Sequence, residues 1–186
     1  MEKIPQQRAF IGIKIVLYGP ESAGKSTLAC ELTDHFKTIK VDEYARPYLQ
    51  EKLDRTGKVC DYEDLVPIAV GQRKAENHAL TTAKGYLFCD TDVLETYVYS
   101  LAYFDKAPAV LEKAVRKSDY DLYLLLDIDI PWVADGLRDR PKDRKEMFGR
   151  FEKGLLDFQK NYSIISGTGE ERFKNALNAI KKLEDK

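Results

Sequence analysis

The decapeptide YGPESAGKST, Tyr18 to Thr27, constrains this chain more than any other stretch. Gly19 and Gly24, followed by Lys25 and Ser26, fill the pattern G-x-x-x-x-G-K-[ST] without a mismatch. Ahead of it, Ile11, Ile13, Ile15, Val16 and Leu17 form an apolar run that reads as a buried strand. Behind it, Leu28, Leu32 and Phe36 recur at helical spacing. Strand, glycine turn, helix is the context in which such a loop cradles phosphate. Glycines let backbone N–H groups converge on oxygens, and the start of the helix adds the positive end of its dipole. In that geometry Lys25 reaches the β- and γ-phosphates, and the Ser26 hydroxyl meets Mg²⁺. Gly19, Glu21, Ser22, Ala23, Gly24, Lys25, Ser26 and Thr27 are therefore the expected cradle for a nucleoside triphosphate.

The alternation continues along the chain. TIKVDEYARPYL holds a short strand around Lys40 and Val41, and YLFCDTD, YDLYLLLDID and YSIIS read as the third, fourth and fifth strands. Between them lie a helix entered near Pro67 and ended by Gly85, the aromatic-rich VLETYVYSLAYF, and APAVLEKAVRKS. A basic helical region is expected from Trp132 to about Gln159. A closing helix carries Phe173, Leu177, Ile180 and Leu183 on one face. EKLDRTGKVCDYED is polar around Gly57 and reads as an exposed connection. Strands alternating with helices predict an α/β fold in three layers: a five-stranded parallel sheet with helices on both faces.

Composition narrows the partners. The 186 residues, with no repeat or linker, suit one domain over 1–186. A formal net charge of −1 creates no global field for nucleic acid or an anionic membrane. Cys30, Cys60 and Cys89 lack metal-ligand spacing and suit free thiols in a reducing cytosol. No signal-peptide pattern or membrane-length apolar run is present. The expectation is a soluble, cytoplasmic protein acting on a small molecule, with a homo-oligomer left open.

Ligands of such sheets sit beyond the carboxyl ends of the strands, and acids gather there. Asp42 and Glu43 follow the second strand, Asp90 and Asp92 the third, Asp127 and Asp129 the fourth. Phosphoryl transfer needs one carboxylate to hold Mg²⁺ and often another to accept the proton of the attacking hydroxyl. Asp90, delivered by the apolar YLF run, is the candidate on the metal side. Helix capping and solvated turns are the alternative for any single acid. Between the fourth and fifth strands, Arg138, Arg140, Arg144 and Arg150 could close over a triphosphate as a lid spanning about 132–158. Arg138 and Arg144 are the preferred pair, and an exposed helix laced with ion pairs is the alternative. Tyr44, Tyr48, Tyr97, Tyr99, Tyr103 and Trp132 could stack on a planar ring or fill the core. His35 and His78 stand alone and read as structural or surface residues.

Taken in order, GPESAGKSTL, EYARPY, FCDTD and PWVADGLR resemble the ribosylnicotinamide kinase domain of NadR-type bacterial regulators, over about Ile13 to Ile180. The resemblance implies a P-loop kinase fold and transfer of the ATP γ-phosphate to the 5′-hydroxyl of nicotinamide riboside. Glu43, Tyr44 and Arg46 then stand where the family's E-Y-x-R segment faces the nucleoside, Asp90 and Asp92 match its D-T-D, and Arg138 matches its lid arginine. Glu43 is the first choice for contact with the acceptor hydroxyl, with Asp42 next. Asp42 occupies a position where well-known members carry tryptophan, and its carboxylate could attract a pyridinium or bind ribose hydroxyls. The family's DNA-binding and adenylyltransferase regions are not implied, because only about ten residues precede the first strand.

A close variant keeps the kinase and changes the acceptor to another nucleoside or vitamin-like alcohol, and two other classes compete. DRTG, Asp54 to Gly57, matches the D-x-x-G of GTPase switches, but it precedes the third strand and no N-K-x-D motif exists. A nucleic-acid ATPase lacks a basic stripe. SGTGEERF, after the fifth strand, could cradle a purine, and the choice between ATP and GTP stays open.

Overall fold

The computed structural model describes residues 3–135, 137 and 142–185. Five parallel strands form one sheet in the order β2-β3-β1-β4-β5. They are β1 (Gly12–Tyr18), β2 (Ile39–Val41), β3 (Gly85–Asp90), β4 (Leu122–Leu126) and β5 (Tyr162–Ile165). The helices are α1 (Lys25–Phe36), α2 (Ala45–Thr56), α3 (Leu65–Ala79), α4 (Val93–Phe104), α5 (Ala109–Lys117), α6 (Arg144–Asp157) and α7 (Gly169–Glu184).

Side chains of β1 alternate between two cores, as the period of a strand requires. Val16 and Tyr18 face a cluster built with α3, α4, α5 and α6, whereas Ile15 and Leu17 face one built with α1 and α7. The sheet is therefore covered on both faces. Lys14 interrupts the apolar run yet is buried, its ammonium 3.7 Å from Asp119. With β1 at the centre between β3 and β4, its carboxyl end opens into the crevice where the chain changes direction across the sheet.

Three expected boundaries move. EKLDRT is the second half of α2, and Gly57 caps it at φ +70° with its N–H on Leu53 O at 2.8 Å. Glu, Lys, Leu and Arg are good helix formers, but α2 buries no residue completely, so its polarity disguised it as a connection. The α3 helix stops at Ala79, where the hydroxyls of Thr81 and Thr82 donate to the carbonyls of His78 and Ala79. Residues 132–135 are not helical, because the Val133 N–H goes to Ser22 Oγ at 2.9 Å instead of into a helical ladder. Helix α6 begins only at Arg144.

Candidate active site

The loop between β1 and α1 turns on Gly19 (φ +139°), Ser22 (φ +56°) and Gly24 (φ +83°), and Gly24 caps α1. A Cβ on Gly24 would stand 3.3 Å from Arg172 Nη1 and 3.1 Å from Ile130 Cδ1, so the position tolerates no side chain without movement. Lys25 Nζ donates to the carbonyls of Gly19 (2.6 Å) and Pro20 (3.2 Å) and lies 3.3 Å from Glu95 Oε1. Burial works against the Lys25 charge, but Glu95, Glu43 and Asp90 together hold the ammonium above its ordinary pKa. Arg172 buttresses the loop from behind. It donates to Ala23 O, to Gly167 O (2.7 Å) and to Asp127 O (3.1 Å), and it pairs with Asp129.

A cleft of about 340 Å³ opens from this loop. Residues 21–27 line one end, with the Ser26 and Thr27 side chains exposed. The other end is assembled from separated segments: Glu43 and Arg46 after β2, Gln72 on α3, and Glu95, Tyr99 and Tyr103 on α4. Leu49, Leu65, Ile68 and Phe104 supply an apolar wall. Gln72 fixes the turn after β2 by accepting from Tyr44 N (2.8 Å) and donating to Asp42 O (3.4 Å). Arg46 lies 3.7 Å from Glu43 and donates to Asp135 Oδ2 at 2.8 Å, tying α2 to the segment that crosses the loop.

Glu95 sits in the first turn of α4 and is 5 % exposed. Burial raises its carboxyl pKa, Lys25 opposes that rise, and Glu43 and Asp90 reinforce it. Its Oε2, the Tyr99 hydroxyl and Asp90 Oδ1 are buried without a hydrogen-bond partner among the described residues. An orphaned buried carboxylate oxygen at Asp90, with the Ser26 hydroxyl at the start of α1, fits a cation held mainly by phosphate oxygens. Among the described residues no group of three or more His, Cys, Asp or Glu side chains is arranged to hold a metal ion.

The structure thus brings Glu21, Ser22, Ala23, Gly24, Lys25, Ser26, Thr27, Glu43 and Arg46 onto one cleft. Other expected residues stand elsewhere. Asp42 is exposed and pairs with Lys40. Tyr44 lies over Gly71, where a Cβ would meet its ring at 2.1 Å, and it faces a separate surface depression. Asp92 is turned into the core, capping α4 through Leu94 N (3.1 Å) and Glu95 N (3.3 Å) and accepting from Tyr123 OH (2.8 Å). Burial pushes the Asp92 pKa up to about 6. Trp132 and Arg144 line a small cavity behind Glu21 with Tyr99 and Met147. There Arg144 donates to Ile130 O (2.9 Å) and Ser22 O (3.3 Å), bracing the loop. Arg138 lies outside the described residues. DRTG ends α2 as an exposed helix cap and does not line the cleft.

Three contributors escaped the sequence reading as site residues, Glu95, Gln72 and Arg172, and Tyr99 entered it only among the aromatics that could stack on a ring or fill the core. Glu95 and Tyr99 share a helix face at i,i+4 behind the D-T-D strand end, a spacing common to core and surface helices alike. Arg172 lies within SGTGEERF, but its target is the backbone of a loop far away in sequence.

Residues 14–172 match the family described as AAA domain. The chain belongs to that family, a class of proteins built on this phosphate loop. The chain is 33 % identical over 166 residues to the trifunctional NAD biosynthesis/regulator protein NadR of Salmonella typhimurium LT2. That alignment takes in 88 % of this chain but 40 % of the relative, so the chain spans well under half of the protein it matches. A crystal structure of NadR protein in complex with NR superposes with a TM-score of 0.77 at 22 % identity, covering 92 % of this chain and 50 % of that one. NadR protein in complex with NAD and AMP-PNP gives 0.74 at 21 %, covering 92 % and 49 %. Thymidylate kinase from Ehrlichia chaffeensis gives 0.61 at 16 %, covering 92 % of this chain and 98 % of that one. The fold is that of the P-loop kinases.

Proposed function

We propose that the protein is an ATP-dependent kinase that transfers the γ-phosphate to the 5′-hydroxyl of nicotinamide riboside, giving nicotinamide mononucleotide for NAD salvage. The observation that carries this reading is the single cleft joining the phosphate loop to an enclosed, partly aromatic acceptor end. A nucleotide switch or a bare ATPase needs a phosphate site but no walled space for a second small molecule. The likeness to NadR supports the choice of acceptor, and the AMP-PNP complex of a NadR protein supports ATP.

The residues divide the work. The backbone N–H groups of residues 22–26 receive the phosphate oxygens, and Lys25 moves from its carbonyl partners to the β- and γ-phosphates. Ser26 and Asp90 would hold Mg²⁺, which when bound neutralises charge on the transferring group. Glu43 faces the acceptor and Arg46 keeps it there. Arg144 supports the loop from the lid side, and Arg138 remains the lid arginine on the strength of the resemblance. In this reading residues 1–186 act as one cytoplasmic kinase domain, with a lid over about 132–158.

A panel of nucleosides tests the proposal through acceptor-dependent ADP release. Nicotinamide riboside should exceed adenosine, uridine and thymidine in kcat/KM. If a common nucleoside wins, the kinase survives and the named acceptor does not.

A further inference from the structure

Two buried polar atoms of the cleft stand on α4, beside the phosphate loop. Glu95 Oε2 and the Tyr99 hydroxyl have no hydrogen-bond partner among the described residues, and both side chains line the acceptor end. Leaving such groups unpaired is costly, so their arrangement implies a ligand that pairs with them. They lie one helical turn apart on the same face of α4. Each is held in place. The Glu95 backbone N–H is tied to Asp92, and the Tyr99 ring packs edge-on against Phe151 at 5.3 Å.

Position adds the second argument. An attacking hydroxyl must meet the γ-phosphate, and the γ-phosphate is where Lys25 goes. Glu95 Oε1 is 3.3 Å from Lys25 Nζ, so this carboxylate borders the meeting point. Asp42, by contrast, is exposed and does not line the cleft, and Glu43 is engaged with Arg46 at 3.7 Å.

Resting on the phosphotransfer reading, we propose that Glu95 and Tyr99 form the seat of the acceptor hydroxyl, with Glu95 taking its proton once Lys25 has left for the triphosphate. The hydroxyl oxygen bonds to Pγ, the bond from Pγ to the β–γ bridging oxygen breaks, and its electron pair leaves with ADP. The hydroxyl proton passes to the Glu95 carboxylate and then to water. Tyr99 donates to the same oxygen and orients it.

The test compares Glu95→Gln, Glu95→Asp, Glu43→Gln and Tyr99→Phe with the best acceptor found in the panel. Glu95→Gln should lose about 10²-fold or more in kcat, with AMP-PNP affinity undiminished. Glu95→Asp should recover part of that loss, and Tyr99→Phe should act mainly on acceptor KM. A Glu95→Gln kcat within about threefold of wild type, or a large loss confined to Glu43→Gln, overturns the assignment. Should Glu95→Gln fail to fold, the wild type decides. Release of Glu95 by Lys25 predicts that AMP-PNP tightens acceptor binding about fivefold or more, and equal affinity with and without AMP-PNP contradicts it. No turnover with any nucleoside removes the function reading and this assignment together.

Discussion

The two ends of the cleft are built on opposite principles. On the proposed reading, the phosphate end is one continuous stretch of chain, residues 19–27, whose own backbone would make the binding surface. The acceptor end is assembled from β2–α2, α3 and α4, and its polar groups are held by one another: Gln72 holds the turn and Arg46 links Glu43 to Asp135. A site made of backbone is sharply defined and chemically general. A site made of side chains from several segments can be altered one residue at a time, which is where acceptor choice can vary within one fold.

This contrast predicts unequal consequences. The largest should come from Lys25→Ala, which removes the ammonium proposed to meet the β- and γ-phosphates. Loss of a charge-stabilising donor costs about 10²-fold or more in rate, so turnover should nearly vanish while the fold survives. Wild-type kcat/KM in this variant would take the loop out of the mechanism.

Arg172→Ala should come next, and in stability instead of chemistry. Arg172 is 5 % exposed and serves three backbone carbonyls as well as Asp129, so its removal strands buried acceptors. A loss of about 3 kcal/mol is expected in denaturant unfolding, accompanied by weaker ATP binding. Unchanged unfolding would mean that the loop holds its shape without a buttress.

The smallest effect should belong to the clasp between Arg46 and Asp135. Their side chains are 43 % and 32 % exposed, and pairs of that kind couple by less than about 1 kcal/mol. A double-mutant cycle on acceptor KM should return such a value. A coupling above about 2 kcal/mol would show the acceptor end to be as rigidly fixed as the phosphate end, and would erase the contrast.

The same contrast governs what could be read without a structure. The apolar runs of β1, β3 and β4 and the loop motif are local in sequence, so fold class, strand identities and Lys25 were legible. The residues lining the other end of the cleft were legible only where a short motif carried them, as with Glu43 and Arg46. Asp92 shows the limit. An acid at a strand end serves equally well as a ligand or as a helix cap, and only the burial that turns it toward Tyr123 decides. Arg144 belongs to the same group: a basic residue at the start of α6 that braces the Ser22 carbonyl. Glu95 was hidden for the converse reason, since a lone glutamate in an aromatic helix looks like surface until α4 is docked beside Lys25.

The central claim is that one cleft brings a triphosphate and an alcohol together for transfer. Mass spectrometry of wild-type protein with Mg²⁺-ATP and nicotinamide riboside tests it most directly, with ADP measured in parallel. The account predicts nicotinamide mononucleotide formed one for one with ADP, and ADP release falling to background when the nucleoside is withheld. ADP released at the same rate without any nucleoside, and no phosphorylated product, would contradict it.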